Sequence, residues 1–247
     1  MVKNPLSIED FPPGFENRLA ANLGKCREHI AAAAARAGRD AEDITLVTVT
    51  KYVDSEVMRV LYELGIRHFG ENRSREAVKK KRALEDLEGV KIHFIGHLQR
   101  NKVRQTLENC CSVHSLDSRR LLMELEKRLQ DPAMPRPEIY VEVNIAGEKS
   151  KTGLPALELP GLLQDISGCP NVARELTGLM TIPPYSDKPG DSRPFFSSLR
   201  KLRDQFVSSG LLPPGSGLSM GMSSDFEMAI EEGATVVRIG SAIYRQD

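Results

Sequence analysis

Ile44-Thr45-Leu46-Val47-Thr48-Val49-Thr50-Lys51 is the stretch on which the fold turns. It is a β-branched run of strand length. The turn Lys51-Tyr52-Val53 closes it, and a helical pattern then starts near Asp54 and Ser55 and ends at Gly65. The same unit repeats along the chain. Arg67 to Gly70 is a second strand with a charged helix from Arg73 to about Glu88, and Lys91 to Gly96 a third with a helix from Asn101. Ser112 to Leu116 is the fourth; Asp117 or Ser118 caps the helix that carries Leu121, Leu122, Leu125 and Leu129. Glu138 to Asn144 is the fifth, followed by a loop with Gly147, Lys149 and Lys151 and a helix around Leu157 to Ile166. The sixth lies in Leu176 to Thr181, before a Pro/Ser/Asp-rich loop from Pro183 to Pro194 and a helix with Phe195, Leu199, Leu202 and Phe206. The seventh is Gly217 to Met222, with a helix from Ser223-Ser224-Asp225 to Gly233. The eighth is Thr235 to Gly240, after which the last helix is short or missing.

Eight strand-then-helix units imply a parallel sheet that closes into a (β/α)8 TIM barrel, a fold that takes a chain of this length as one domain, residues 1–247. An open doubly wound sheet is the alternative; it carries a glycine-rich turn after its first strand, where this chain has Lys51-Tyr52-Val53. Upstream, Leu19, Leu23, Cys26 and Ile30 recur at spacings of three and four and run into Ala31 to Ala35, which predicts an extra N-terminal helix ending near Gly38. It packs outside the barrel or across one end.

Composition narrows the function classes. Lys plus Arg and Asp plus Glu are both 34, so the chain has no excess of positive charge with which to grip phosphate backbones without regard to sequence. No apolar run approaches the roughly 20 residues that a membrane helix needs. The segment from Met1 to Phe15 has no basic stretch leading into an apolar one and does not read as a secretion signal. Cys26, Cys110, Cys111 and Cys169 form no C-x-x-C pair, which fits reduced thiols in the cytoplasm better than a zinc site or a disulfide framework.

In a barrel, the residues at the C-terminal ends of strands form the catalytic face. Lys51 stands there, with Val47 and Val49 behind it. It is either a solvated lysine or an amine that partial desolvation makes nucleophilic toward an aldehyde. The loops after strands seven and eight often hold phosphate. Here they carry Ser219-Met220-Gly221-Met222-Ser223-Ser224 and Arg238-Ile239-Gly240-Ser241; the serines either cap a helix or, with its free N–H groups, hold an anion. Arg238 interrupts an apolar strand, so it either pairs with a carboxylate such as Glu142 or serves a ligand. Because arginine only donates, a pyridine nitrogen facing it must stay unprotonated, which makes the ring a weak electron sink. Asn72 can bond a ring substituent or cap the next helix. His93, His97 and His114 lack a metal spacing on one element and read as scattered core or rim residues, and Lys79-Lys80-Lys81-Arg82 reads as a solvated helix face.

Several segments together resemble one family. They are Thr48-Val49-Thr50-Lys51, Phe69-Gly70-Glu71-Asn72, His93 to Lys102, Gly178 to Pro183, Leu218 to Asp225 and Val237 to Ile243. In this order, from about Leu19 onward, the chain resembles the pyridoxal-phosphate homeostasis proteins, which are alanine-racemase-like. The resemblance implies the barrel of the fold-type III pyridoxal enzymes and pyridoxal 5′-phosphate as a covalent aldimine on Lys51. It places the phosphate on Ser223, Gly240 and Ser241, the pyridine nitrogen on Arg238, and Asn72, Met180 and Ser219 around the pocket. It implies a cytoplasmic protein that buffers the cofactor and delivers it, with apo pyridoxal-phosphate enzymes as partners and no established turnover. Ser241 stands where the family usually has threonine, and Arg245 where it has glycine.

The alternative is a weak alanine-type amino-acid racemase. True alanine racemases carry a second, β-rich domain that supplies a tyrosine base across a dimer; the sequence after Tyr244 has no room for it, so a monomer and no C-terminal β domain are expected. A lysine Schiff-base aldolase without pyridoxal phosphate is the third reading. No metal, nucleic acid or membrane partner is expected.

Overall fold

A computed structural model describes residues 5–148, 151–184, 186 and 190–245. Its strands are β1 (Thr45–Val49), β2 (His68–Glu71), β3 (Lys91–Phe94), β4 (Ser112–Leu116), β5 (Glu138–Asn144), β6 (Leu154–Pro155), β7 (Leu176–Met180), β8 (Gly217–Ser219) and β9 (Val236–Ile239). All pairings between them are parallel. β4 through β1 lead to β9, β8, β7 and β5, and β4 pairs with β5 again, so eight strands close into a barrel. The two-residue β6 only extends the end of β5. The helices are α1 (Phe15–Arg36), α2 (Ser55–Glu63), α3 (Ser74–Ala83), α4 (Val103–Asn109), α5 (Arg119–Leu129), α6 (Leu159–Ser167), α7 (Pro170–Glu175), α8 (Arg193–Ser208), α9 (Phe226–Glu231) and α10 (Ser241–Tyr244).

Period-two alternation divides the barrel wall between two cores. Phe69, Ile92, Phe94, Val113, Val141, Leu179, Val237 and Ile239 face outward and pack with helix residues such as Leu61, Leu122 and Leu163. Each such side chain, fully buried, contributes roughly 1.5–3 kcal/mol. The inward residues are different. Val47, Tyr140, Met180 and Val236 make a separate small apolar layer, and the remaining interior is polar. Lys51 is in phase with Val47, so the alternation of β1 carries it toward the barrel mouth.

The early helix has a definite task. α1 buries Leu19, Leu23, Cys26 and Ile30 and packs against α9 and α10. α10 has four residues, too few to cover the seam between β9 and β1. α1 lies outside and covers it. The segment before α1 is also tied to the wall: Leu6 N–H donates to the Tyr52 carbonyl at 2.8 Å, and Asp54 N–H to the Leu6 carbonyl at 2.9 Å. These bonds brace the turn that carries Lys51.

Some boundaries differ from the sequence reading. α3 stops at Ala83 rather than near Glu88, because Arg59 donates to the Ala83 carbonyl and pairs with Asp86, which terminates the helix. The helix after β8 starts at Phe226, three residues later than Ser223, because Ser223 Oγ is engaged elsewhere. α7 and β6 are additional elements, and the loop before α8 ends at Ser192. Ser118, not Asp117, caps α5. Lys149 and part of the loop expected from Pro183 to Pro194 lie outside the described residues.

Candidate functional site

The mouth gathers β1, β2, β7, β8 and β9. Lys51, in the turn after β1, is half-buried and its Nζ lies 4.9 Å from the centre of the Tyr52 ring. The structure gives that amine no hydrogen bond or ion pair among the described residues. The residue before it is fixed from behind. Lys80 Nζ donates to the Thr50 carbonyl at 2.7 Å and to Glu71 Oε1 at 2.6 Å, and Thr50 Oγ1 donates to the same carboxylate oxygen at 2.7 Å. Lys80 is 2% exposed, so it is no part of a solvated face. On α3 it follows Ser74 and Ala77 at a spacing of three and lies on the stripe that faces the barrel.

Arg238 sits opposite β1, paired in register with Val47. It is buried, and its guanidinium donates to Ser219 Oγ at 2.6 Å and to the Thr181 carbonyl at 3.0 Å. Burial pulls its pKa down to about 10, with Glu142 and Asp225 holding it up. It forms no ion pair with Glu142, which instead accepts from Thr152 Oγ1 at 2.6 Å. The arginine therefore remains a cation whose hydrogen-bond acceptors, Ser219 Oγ and the Thr181 carbonyl, are neutral, with Glu142 and Asp225 near but not bonded to it among the described residues.

The third part is the turn after β9. The N–H groups of Gly240 and Ala242 both donate to Ser223 Oγ, at 3.2 and 3.1 Å. A Cβ at Gly240 would lie 3.2 Å from the Val49 Cβ, so a glycine lets this turn pack on β1 two residues before Lys51. Ser223 and Ser241 flank converging backbone donors, which is the chemistry of an oxyanion seat. A cleft of about 300 Å³ shares Ser223, but its Arg36 and Arg193 are paired with Glu227 and Glu231.

Of the other expected residues, Ser219 and Met180 are fully buried inside the barrel and neighbours in register across β8 and β7. Asn72 follows β2 at the mouth, its carbonyl 2.3 Å from where a Gly96 Cβ would stand. It does not cap α3, whose N-cap is Arg73. The histidines are not scattered. His68, His93 and His114 line the interior with Ser112 between them, a set that inward alternation on β2, β3 and β4 specifies. His97 alone is at the rim, 3.2 Å from Asp117.

A lysine amine without a hydrogen bond or ion pair among the described residues, a buried donor-only arginine and an amide-lined hydroxyl turn thus stand at the ends of neighbouring strands of one (β/α)8 barrel. Comparison with known proteins sharpens this. The family described as "Alanine racemase, N-terminal domain" matches residues 19–247, and this chain belongs to it. The pyridoxal phosphate homeostasis protein of Aquifex aeolicus is 43% identical over 224 residues, 90% of this chain and 95% of that protein. The protein of the same name from Pseudomonas aeruginosa is 38% identical over 230 residues, 92% of this chain and 94% of that one. Among solved structures, PipY of Synechococcus elongatus with PLP bound superposes with a TM-score of 0.79 at 29% identity, covering 92% of this chain and all of that one. Alanine racemase from Streptomyces lavendulae shares the fold, with a TM-score of 0.71 at 16% identity; this chain spans 57% of it.

Proposed function

We propose that this protein binds pyridoxal 5′-phosphate through Lys51, buffers it, and hands it to apo forms of pyridoxal-phosphate enzymes, without turnover of its own. It does so as a cytoplasmic monomer. The observation that carries the reading is a Lys51 amine with no hydrogen bond or ion pair among the described residues, at the end of the strand beside a buried Arg238 whose guanidinium bonds only Ser219 and the Thr181 carbonyl among them. The names of the relatives and the PLP-bound neighbour support the same ligand.

The residues present fit the cofactor. It supplies an aldehyde that condenses with a primary amine, losing water. Lys51 is that amine, and the braced Thr50 carbonyl limits where its stem can point. The Ser223–Gly240 turn, with Ser241, offers hydroxyl and amide donors to a phosphate. Arg238 would donate to a ring nitrogen and, with no lone pair to accept a hydrogen bond, would favour that nitrogen unprotonated. Asn72, Met180 and Ser219 complete the wall. An unprotonated ring withdraws electrons weakly, which favours holding the cofactor or mild proton chemistry over heavy carbanion work.

The test is purification and spectroscopy. The protein is expected to be yellow and Lys51→Ala colourless. A variant that stays loaded, or a purified protein that racemises alanine in a Lys51-dependent manner, overturns the carrier reading.

A further inference from the structure

Beneath the mouth runs an unbroken line of polar side chains that direct contact with a cofactor does not require. Its hydrogen positions follow from one fact: arginine can only donate. Arg238 Nη1 gives its hydrogen to Ser219 Oγ at 2.6 Å. Ser219 keeps one O–H to give, and the acceptor that the structure sets beside it is His114 Nδ1, 2.8 Å away. An imidazole that accepts at Nδ1 carries its hydrogen on Nε2, which donates to Ser112 Oγ at 2.8 Å. Ser112 donates onward to His93 Nδ1 at 2.6 Å. His93 in turn donates from Nε2 to His68 Nδ1 at 2.8 Å. Every hydrogen points away from Arg238, toward the half-buried His68 at the start of β2.

That orientation is self-consistent only with neutral rings. A proton added at His114 Nδ1 would take the acceptor of the Ser219 O–H and set a second positive charge beside Arg238. Burial, helped by His93 and Arg238, keeps His114 well below the ordinary histidine range, and burial brings His93 down to about 3. His114 is also stacked on Tyr140, ring centres 4.6 Å apart and planes within 21°, so its ring has little freedom to turn.

We propose that His114, acting through Ser219 and backed by Ser112 and His93, is the positioning residue of the site: it fixes the Arg238 guanidinium as a donor toward an aromatic nitrogen and so selects ligands whose ring nitrogen is an acceptor. This rests on the reading that a pyridine ring lies against Arg238. The covalent partner, Lys51, is not part of the column. The column governs ring recognition, and the amine governs attachment. Aligned donors polarise one another, so the effect at Arg238 exceeds that of Ser219 alone.

The experiment titrates pyridoxal 5′-phosphate against apo wild type, His114→Leu, His114→Asn and Ser219→Ala, reading the visible band, its pH profile and the melting temperature without cofactor. His114→Leu is expected to weaken binding up to roughly tenfold, the upper scale of one lost neutral hydrogen bond, and to shift the pH profile of the band. His114→Asn restores an acceptor for Ser219 and is expected to recover most of the affinity. The double variant His114→Leu/Ser219→Ala is expected to be no worse than the weaker single one, since both break one chain. Borohydride is still expected to label Lys51 in each. If His114→Leu does not fold, Ser219→Ala against His114→Asn carries the same comparison. Equal affinity and identical bands in all variants, with wild type loaded on Lys51, overturn the proposal alone. A wild type that takes up no cofactor overturns the reading beneath it as well.

Discussion

Lys80 and Glu71 are each almost fully buried, and their head groups meet directly behind the residue that precedes Lys51. Removing one partner leaves a buried charge unpaired, which costs about 3–5 kcal/mol. Lys80→Met is therefore expected to lose that much in urea unfolding, while Lys80→Met/Glu71→Leu recovers part of it; a loss under about 1 kcal/mol would contradict the pair's structural weight. The interior histidines set a pH dependence of definite sign. Burial holds His93 down to about 3, whereas an unfolded histidine takes a proton near a pH of about 6.5. The unfolded chain therefore binds more protons, and stability is full above ~6.5 and falls as pH drops toward 3, by about 1.4 kcal/mol per pH unit for this one ring. Urea midpoints between pH 7 and 4 check it: His93→Asn is expected to flatten the slope by one proton, and an unchanged slope would contradict a neutral His93.

At the scale of elements, β7 and β8 meet through glycines. A Cβ on Gly178 would stand 2.0 Å from the Gly217 carbonyl oxygen, a backbone contact that cannot give way without parting the strands. Gly178→Ala is expected to cost ~3 kcal/mol or more and to loosen Ser219, two positions along β8 from Gly217; calorimetry and cofactor titration measure both. Strands of this kind were legible because their apolar, β-branched runs are bounded by turns, and β4 and β5 fall where the pattern put them. That Lys51, Arg238 and the Gly240 turn stand at neighbouring strand ends was legible because strand ends in a barrel converge; their hold on a ligand is the proposal above. Lys80 was not, because charge within a basic run reads as solvated until a buried carboxylate on another element is known to face it. The histidine column was hidden for a related reason. His68, His93 and His114 lie on the consecutive strands β2, β3 and β4, and the pairing of those strands, with barrel closure carrying His114 to Ser219 on β8, makes them one column. Helix ends were the least legible, since α3 is stopped by Arg59 on α2 rather than by a residue of its own.

Across the whole molecule, closure leaves the eight barrel strands without a free edge, and α1 seals the seam that the short α10 leaves. Such a wall holds its mouth residues on fixed strand ends, so a ligand that bonds to β1 at Lys51 and to the turn after β9 ties first strand to last. Cofactor binding at a hundred times its dissociation constant adds about 2.7 kcal/mol to stability, or roughly 5–10 °C in melting temperature for a chain of this size. That increment is expected in wild type and absent in Lys51→Ala; equal shifts in both would place the attachment elsewhere. The most direct measurement reduces the loaded protein with borohydride and locates the label by peptide mass. The expected result is one pyridoxyl group, on the peptide that contains Lys51. A label on any other lysine, with the Lys51 peptide unmodified, would contradict the account.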